Sequence, residues 1–196
     1  YRLAPEAPFP AALEDVTAAL RWLASGGGDE RSGESVIVCG ESAGANLLLG
    51  AMIRLRTEPC FAAIRAAFLN YGTYDLRGNR RLRSTTSDSA MLNWPMVQWF
   101  AEHYGVSGRL DDPEVSPIHA DLHGLPQTLL LVGSEDPVLD DSLEMESRLR
   151  SSGTHAVAAI VSGGLHGMIE VLGPVRRLAR NLVLEGIARA EDGLRL

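Results

Sequence analysis

The sequence has few of the features that define several large classes of protein. Only two cysteines occur in 196 residues, Cys39 and Cys60, so neither a disulfide framework nor a cysteine-rich metal site is indicated. No apolar run reaches the ~18 residues of a membrane-spanning helix, and no signal peptide or Asn-x-Ser/Thr sequon is recognised. We therefore expect a cytoplasmic protein without a membrane partner. Cys39 lies in an apolar run and is predicted to be a small buried thiol.

Positive charge is in the minority. The 18 Lys and Arg residues against 25 Asp and Glu residues give a net charge of -7 and a pI of about 5.2. An acidic surface repels phosphate groups, which argues against nucleic acid as a partner. With 45% hydrophobic and 22% charged residues, the composition is that of a soluble globular protein. We expect a single domain over residues 1–196.

Short apolar segments alternate with helical patterns along the chain. Segments with the composition of buried strands lie at residues 36–39, 66–71, 128–132 and 156–161. None alternates cleanly between polar and apolar residues, which is typical of parallel strands covered on both faces. Helical patterns lie at residues 13–23, 43–56, 140–151 and from Pro174 onward. The alternation predicts an α/β fold with a mostly parallel sheet flanked by helices.

The sequence Gly-Glu-Ser-Ala-Gly, centred on Ser42, joins the first predicted strand to a helix. Such a tight turn holds its serine in a strained conformation, and we expect side chains at positions 40 and 44 to collide, so that both are glycine. The serine hydroxyl would project above the sheet edge, beside helical N–H groups that can bind an oxyanion. This predicts a nucleophile at Ser42; the alternative is a plain turn in which Ser42 caps the helix.

A serine acts as a nucleophile only with a base, which is itself oriented by an acid. After a strand–turn–helix nucleophile, the acid follows a later strand and the histidine follows the last one. The third predicted strand leads into Glu135 and Asp136, and the fourth leads into a loop that contains His166. Both loops lie at strand carboxyl ends, where α/β sheets place their chemistry. We predict Asp136 as the acid and His166 as the base, with Glu135 as the rival acid.

The other candidate acids and bases have simpler interpretations. The remaining histidines follow no strand in the required order and are predicted to be surface or loop residues: His103, His119, His123 and His155. Asp140 and Asp141 open a predicted helix, where carboxylates act as caps and suit the helix dipole. Neither group is included in the predicted triad.

In combination, these motifs resemble one known family. The sequences Tyr-Arg-Leu-Ala-Pro-Glu at 1–6, Gly-Glu-Ser-Ala-Gly-Ala-Asn-Leu at 40–47, Gly-Ser-Glu-Asp-Pro at 133–137 and Gly-Leu-His-Gly at 164–167 are similar to the hormone-sensitive-lipase-like branch of the α/β-hydrolases. Asn-Tyr-Gly-Thr-Tyr-Asp-Leu at 70–76 resembles its bacterial acetyl esterase members. The resemblance covers nearly the whole chain, keeps the motif order and implies the α/β-hydrolase fold.

The resemblance also implies an activity. The implied activity is hydrolysis of short-chain, acetyl-type esters by a serine carboxylesterase that uses Ser42, Asp136 and His166, without a cofactor or metal. The N–H of Ala43 would stabilise the oxyanion. Such enzymes carry a His-Gly-Gly-Gly-type oxyanion loop and the first strands of the sheet before the Tyr-Arg-Leu-Ala-Pro-Glu motif. Neither is present here, so we expect an N-terminally truncated chain that is weakly active or inactive by itself.

Two other functions use the same sequence features. A hydrolase-like module can bind a small ligand without turnover, but such modules typically lack the base, and His166 is present. An acyl-amide hydrolase or lactonase would use the same triad. Residues 72–125 break the strand–helix rhythm and predict a helical excursion with long loops. There, Tyr74, Trp94 and Trp99 are either walls of the substrate pocket or plain core aromatics.

Overall fold

A single parallel sheet forms the centre of the computed structural model, which describes residues 1–27, 35–87, 90–171 and 173–196. Its described strands lie in the order β1-β2-β3-β4, in which all neighbours are parallel. They are β1 (Val36–Glu41), β2 (Ile64–Asn70), β3 (Gln127–Gly133) and β4 (Ala156–Val161). The predicted α/β class with its parallel sheet is confirmed, and each strand overlaps one of the apolar segments.

Helices connect and flank the strands. They are α1 (Ala11–Ala24), α2 (Ala43–Leu55), α3 (Arg80–Ser84), α4 (Trp94–His103), α5 (Leu139–Ser151) and α6 (Pro174–Glu191), with short 3-10 helices at Pro59–Ala63 and Pro117–His119. The four periodic segments of the sequence correspond to α1, α2, α5 and α6. No helix in the described ranges combines the length and the apolar character that crossing a membrane requires.

The core lies on both faces of the two central strands. Ala67, Leu69 and Leu130 face a cluster that contains α1, α2 and α5. Phe68 points to the opposite face, where α6 packs. There Gly186 permits a close approach, since a Cβ at this position would lie 2.6 Å from the Phe68 ring. The sheet is thus covered by helices on two sides, as its continuous apolar strands predict.

Strand β1 is less covered than its sequence suggests. Val38 is buried against the α1 and α2 face, whereas Cys39 points to the opposite face and is exposed. Helix α6 packs over β2, β3 and β4, so it leaves this side of β1 open. The prediction that Cys39 is buried is therefore wrong, because burial of an edge strand depends on how far the neighbouring helix extends.

Residues 71–126 connect β2 to β3 and contain α3, α4 and the second 3-10 helix. Asparagine side chains begin both α-helices: Asn79 accepts a hydrogen bond from the N–H of Leu82, and Asn93 accepts one from the N–H of Met96. The Asn46 side chain on α2 donates to two carbonyl groups of this segment. The excursion is thereby held against the end of the sheet that carries Ser42.

Candidate active site

Ser42 lies at the turn between β1 and α2 with an unusual backbone conformation. Its φ of 51° and ψ of -120° are rare for a residue with a side chain. Its N–H donates to the carbonyl of Asn70 at 2.9 Å, which extends the strand pairing into the turn. The side chain makes no capping bond to α2. Instead, its Oγ lies 2.9 Å from Nε2 of His166, so the capping alternative does not describe this serine.

The two glycines of the motif have different surroundings. A Cβ at Gly40 would lie 2.6 Å from the carbonyl oxygen of Gly44 and 2.9 Å from Cα of Ala45, so only glycine fits there. A Cβ at Gly44 would meet nothing within 4 Å beyond its own helix. The expected collision is therefore correct for Gly40 and wrong for Gly44. The reason is that the first turn of α2 leans over Gly40, while Gly44 faces away from the strand.

Asp136 lies in the loop after β3 and is completely buried. Both of its carboxylate oxygens lie 3.1 Å from Nδ1 of His166. Its Oδ1 also accepts a hydrogen bond from the N–H of Val138 at 3.0 Å. Glu135 is exposed, and its carboxylate accepts a hydrogen bond from its neighbour Ser134. The geometry thus separates two adjacent acids that the sequence left as rivals.

The loop after β4 carries His166, and backbone contacts join it to the loop after β3 that carries Asp136. The N–H of Glu135 donates to the carbonyl of Gly164 at 3.0 Å, and the N–H of Gly163 donates to Oγ of Ser134 at 2.9 Å. A Cβ at Gly133 would collide with the Gly164 carbonyl, so the two backbones touch. This contact holds His166, which is only 8% exposed, between Ser42 and Asp136.

Tyr71 belongs to the site and was missed by the sequence reasoning. Its φ of 39° is also unusual for a residue with a side chain. Its hydroxyl donates to Oε2 of Glu41 at 2.7 Å, and its ring meets the His166 ring edge-on at 5.2 Å. Burial and, next, the bond to Glu41 raise the pKa of Tyr71, so the phenol stays protonated. No motif signals this role, because it depends on the position of β2 beside β1.

Asp141 has a different role from the helix cap that its position suggested. It is buried, and its carboxylate accepts hydrogen bonds from the N–H of Tyr74 at 2.9 Å, the N–H of Asp75 at 3.1 Å and the side chain of Asn79 at 2.6 Å. None of these donors belongs to its own helix. Burial raises the pKa of Asp141 to about 6. The capping prediction is wrong for Asp141, while Asp140 is exposed on the first turn of α5.

The aromatic residues proposed as pocket walls lie in three different environments. Tyr74 has no exposed surface and packs in the core, so it offers no face to a substrate in this conformation. Trp94 is partly buried against an apolar cluster that includes Leu82 and Val97, and the Arg83 guanidinium lies over its ring. Trp99 is 54% exposed on α4 and packs against Phe100 and His103.

The other histidines have partners away from the Ser42 hydroxyl. His103 bonds the carbonyl of Trp99, His123 pairs with Asp121, His155 bonds the carbonyl of Leu196, and His119 lies near Asp75. In the part of the chain that the structure describes, no three His, Cys, Asp or Glu side chains are grouped so that they could hold a metal ion. His166 is the histidine that the fold brings to Ser42.

Comparison with known proteins agrees with this fold. Residues 1–170 match the family described as the alpha/beta hydrolase fold, and the chain belongs to that family. It is 35% identical over 159 residues to an acetyl-hydrolase of Streptomyces hygroscopicus, covering 79% of this chain and 50% of the relative. It is 34% identical over 145 residues to an esterase of Acinetobacter venetianus, covering 72% and 46%. The chain spans about half the length of these curated relatives.

Solved structures show the same similarity in three dimensions. An esterase of Pyrobaculum calidifontis superimposes with a TM-score of 0.86 at 30% identity, covering 98% of this chain and 64% of that one. An esterase described as belonging to the bacterial hormone-sensitive lipase family superimposes with a TM-score of 0.74 at 30% identity, covering 92% and 61%. The resemblance to the hormone-sensitive-lipase-like branch is confirmed.

Proposed function

We propose that this chain is the C-terminal part of the catalytic domain of a serine carboxylesterase that hydrolyses short-chain acyl esters through Ser42, His166 and Asp136. The observation that carries the proposal is the continuous chain of contacts from the Ser42 hydroxyl to His166 at 2.9 Å and from His166 to Asp136 at 3.1 Å. Relatives named as an acetyl-hydrolase and an esterase support the acyl-ester chemistry. Residues 72–125 would form one side of the substrate site within this domain.

The proposed reaction uses each atom of the triad. Nε2 of His166 accepts the Ser42 proton while Oγ attacks the ester carbonyl carbon. The tetrahedral intermediate collapses, the imidazolium gives its proton to the leaving alcohol, and the acyl group stays on Ser42. Water then attacks the acyl carbon while His166 accepts its proton, and the second tetrahedral intermediate collapses as His166 returns that proton to Ser42 Oγ and the carboxylic acid product is released. Asp136 accepts the Nδ1–H bond throughout, which orients the ring and stabilises its cationic form.

The oxyanion would lie at the first turn of α2. Ala43 is the first residue of this helix, so its N–H has no partner within the helix. The N–H is next to the Ser42 side chain and at the positive end of the helix dipole, which suits an anion. Removing one such donor typically lowers the rate by about 10²–10³. We therefore propose the Ala43 N–H as an oxyanion donor.

The first test compares the protein with its Ser42→Ala variant in p-nitrophenyl acetate hydrolysis and in labelling by a fluorophosphonate. The wild type should turn over the ester and gain one phosphonyl adduct by mass spectrometry, on the peptide that contains Ser42. Ser42→Ala should do neither. Ser151→Ala, which alters an exposed serine on α5, is the matched control and should behave as wild type. A folded wild type that neither labels nor outpaces Ser42→Ala, also when joined to the upstream oxyanion loop that the family resemblance implies, would overturn the esterase proposal and favour a binding module.

The two neighbouring acids provide a second test. Asp136→Asn should lower kcat by about 10³–10⁴, because the amide cannot hold His166 in the tautomer that accepts a proton at Nε2. Glu135→Gln should retain near wild-type turnover, because Glu135 is exposed and contacts only the loop. Steady-state kinetics of both variants measures the difference. Equal losses, or a larger loss at Glu135, would remove Asp136 from the proposed triad.

A further inference from the structure

A polar cluster binds the acid loop through groups other than the Asp136 carboxylate. The acid loop comprises residues 134–141, which are the connection after β3 together with the first turn of α5. Arg81 on α3 donates from Nη1 to the carbonyl of Ser134 at 2.8 Å and to that of Asp136 at 3.1 Å. One guanidinium nitrogen thus binds the backbone of Asp136 and of the residue two before it.

The other end of the acid loop is bound to the same part of the excursion. The Asn79 side chain donates from Nδ2 to Oδ1 of Asp141 at 2.6 Å, and its Oδ1 accepts the N–H of Leu82 at 2.7 Å. The second oxygen of Asp141 accepts the N–H groups of Tyr74 and Asp75. Every hydrogen bond of this buried carboxylate therefore connects α5 to residues 74–79, which follow β2.

These contacts account for a buried charged group that the triad does not use. Burying a carboxylate is unfavourable unless hydrogen bonds compensate for the lost water, and three donors converge on Asp141. The donors come from a segment that is far away in sequence. The bonds therefore fix the position of residues 74–79 relative to the first turn of α5, which apolar packing alone would not specify. That alignment sets the distance between α3 and the acid loop, where Asp136 lies.

We propose that Asp141, Asn79 and Arg81 are positioning residues that hold the acid loop so that the Asp136 carboxylate stays on Nδ1 of His166. This inference rests on the proposed function, because it gives the cluster a role in that reaction. None of the three residues touches the reacting atoms. They act on the backbone of Asp136 and on the first turn of α5, and a shift of about 1 Å in a catalytic group is enough to lower a rate by up to ~10².

The test exchanges the two side chains. In Asp141→Asn, one amide oxygen can still serve the Tyr74 and Asp75 N–H groups, but its NH₂ faces the NH₂ of Asn79. In Asn79→Asp, two carboxylates face each other. The double variant Asp141→Asn/Asn79→Asp restores a donor–acceptor pair, keeps the net charge, and leaves an oxygen at residue 79 to accept the N–H of Leu82. Asp140→Asn is the matched control on the exposed side of the same turn.

Each single variant should lower kcat for p-nitrophenyl acetate roughly 10- to 100-fold with little change in KM, and the double variant should recover most of the loss. Two further measurements do not depend on turnover. In the single variants, the low-field proton NMR signal of His166 Nδ1–H should broaden or disappear, and the Val138 amide, which donates to Asp136, should exchange faster. Both should return in the double variant.

The outcomes separate this inference from the function on which it rests. If wild type has no turnover even when joined to the upstream oxyanion loop that the family resemblance implies, but the NMR signal and the Val138 exchange follow the pattern above, the esterase proposal fails and the positioning role stands. If the single variants lose stability but keep the signal, the Val138 protection and kcat, the cluster is merely structural and the inference is overturned. Should the single variants not fold, Arg81→Met removes the bonds to the Ser134 and Asp136 carbonyls alone, and an unchanged signal and kcat there would also overturn it.

Discussion

At the scale of single residues, chemically similar neighbours in this protein have different roles because their surroundings differ. Asp136 is buried on His166, whereas Glu135 beside it is exposed. Gly40 is enclosed by the first turn of α2, whereas Gly44 faces open space. Each pair differs because one member points toward neighbouring segments of the fold and the other points toward solvent or open space. Substitutions within each pair should therefore have unequal effects.

The glycine pair gives a stability prediction. Gly40→Ala should lower the free energy of unfolding by about 1–3 kcal/mol or more, because its Cβ would overlap the backbone of residues 44 and 45, which cannot move independently of α2. Gly44→Ala should leave stability unchanged or raise it by up to about 1 kcal/mol, because alanine has the higher helix propensity. Urea denaturation of both variants measures the difference. Equal destabilisation by the two would contradict the described path of the turn.

At the scale of elements, the site is assembled where four strand ends meet the helices and loops that follow them. Ser42 follows β1, Tyr71 follows β2, the acid loop follows β3, and His166 follows β4. Parallel pairing places all of these carboxyl ends at one edge of the sheet. The excursion adds a second connection through α3, whose cap Asn79 bonds Asp141 on α5. The alignment of these elements thus depends on a buried carboxylate.

That carboxylate should make stability depend on pH. Burial raises the pKa of Asp141 from 3.8 to about 6 in the fold, and the nearby charge of Asp75 adds to the rise. Because the folded pKa is the higher one, the folded state binds the proton more tightly between these values. The contribution of Asp141 is fully present below the unfolded pKa and is lost as pH rises through about 6. Relative to Asp141→Asn, wild type should lose roughly 2–3 kcal/mol between about pH 4 and about pH 7.

Urea denaturation at several pH values, on wild type, Asp141→Asn and the exposed control Asp140→Asn, measures this dependence. The difference between wild type and Asp141→Asn should fall as pH rises, while the difference between wild type and Asp140→Asn should lack this trend. A difference that instead grows with pH would mean that the three hydrogen bonds to Asp141 outweigh its burial and lower its pKa.

At the scale of the whole molecule, helices cover the two faces of the sheet unequally. Helices α1, α2 and α5 pack on one face, and α6 packs on the other over β2, β3 and β4. The side of β1 that α6 does not reach carries Cys39, which is exposed. Cys60 lies in a 3-10 helix that packs against the core and is partly buried. The difference in exposure between the two thiols therefore indicates whether this side of β1 is uncovered.

Thiol labelling should distinguish the two cysteines in the native protein. Cys39 should react with a small maleimide before Cys60 does, because it is the more exposed thiol and this access should outweigh the effect of partial burial and Glu41, which raise the pKa of Cys39. Cys39→Ser and Cys60→Ser are the matched single-thiol controls, and mass spectrometry of timed samples gives both rates. Protection of Cys39 until denaturant is added would contradict an open β1 face, and would show that another segment or a second copy covers it.

Much of the fold and of the candidate triad could be predicted from local sequence. The apolar segments correspond to β1–β4, and the helical periodicities correspond to α1, α2, α5 and α6. The motif around Ser42 and the order of the loops that follow the strands pointed to Asp136 and His166. These features were accessible because strand burial, helix amphipathicity and a tight turn each leave a pattern within a few consecutive residues.

Other features were not accessible, and Tyr71, Asp141 and Cys39 show why. Tyr71 reaches His166 only because β2 pairs with β1 and β3. The sequence around Tyr71 predicts an ordinary strand end. The position of Asp141 predicts a helix cap, but its hydrogen-bond partners lie more than sixty residues away in sequence. The apolar run around Cys39 predicts a buried thiol, but its exposure depends on which strands α6 packs against.

The amino-acid sequence by itself therefore determined the α/β class, the parallel sheet and the family, together with which residue types could serve as nucleophile, acid and base. Only the tertiary structure decided that Asp136 rather than Glu135 meets His166, that Gly40 but not Gly44 is sterically required, and that Asp141 binds the excursion. The physical reason is that secondary structure follows from short-range periodicity and backbone preference. Distances between side chains depend instead on contacts between segments that are far apart in the chain.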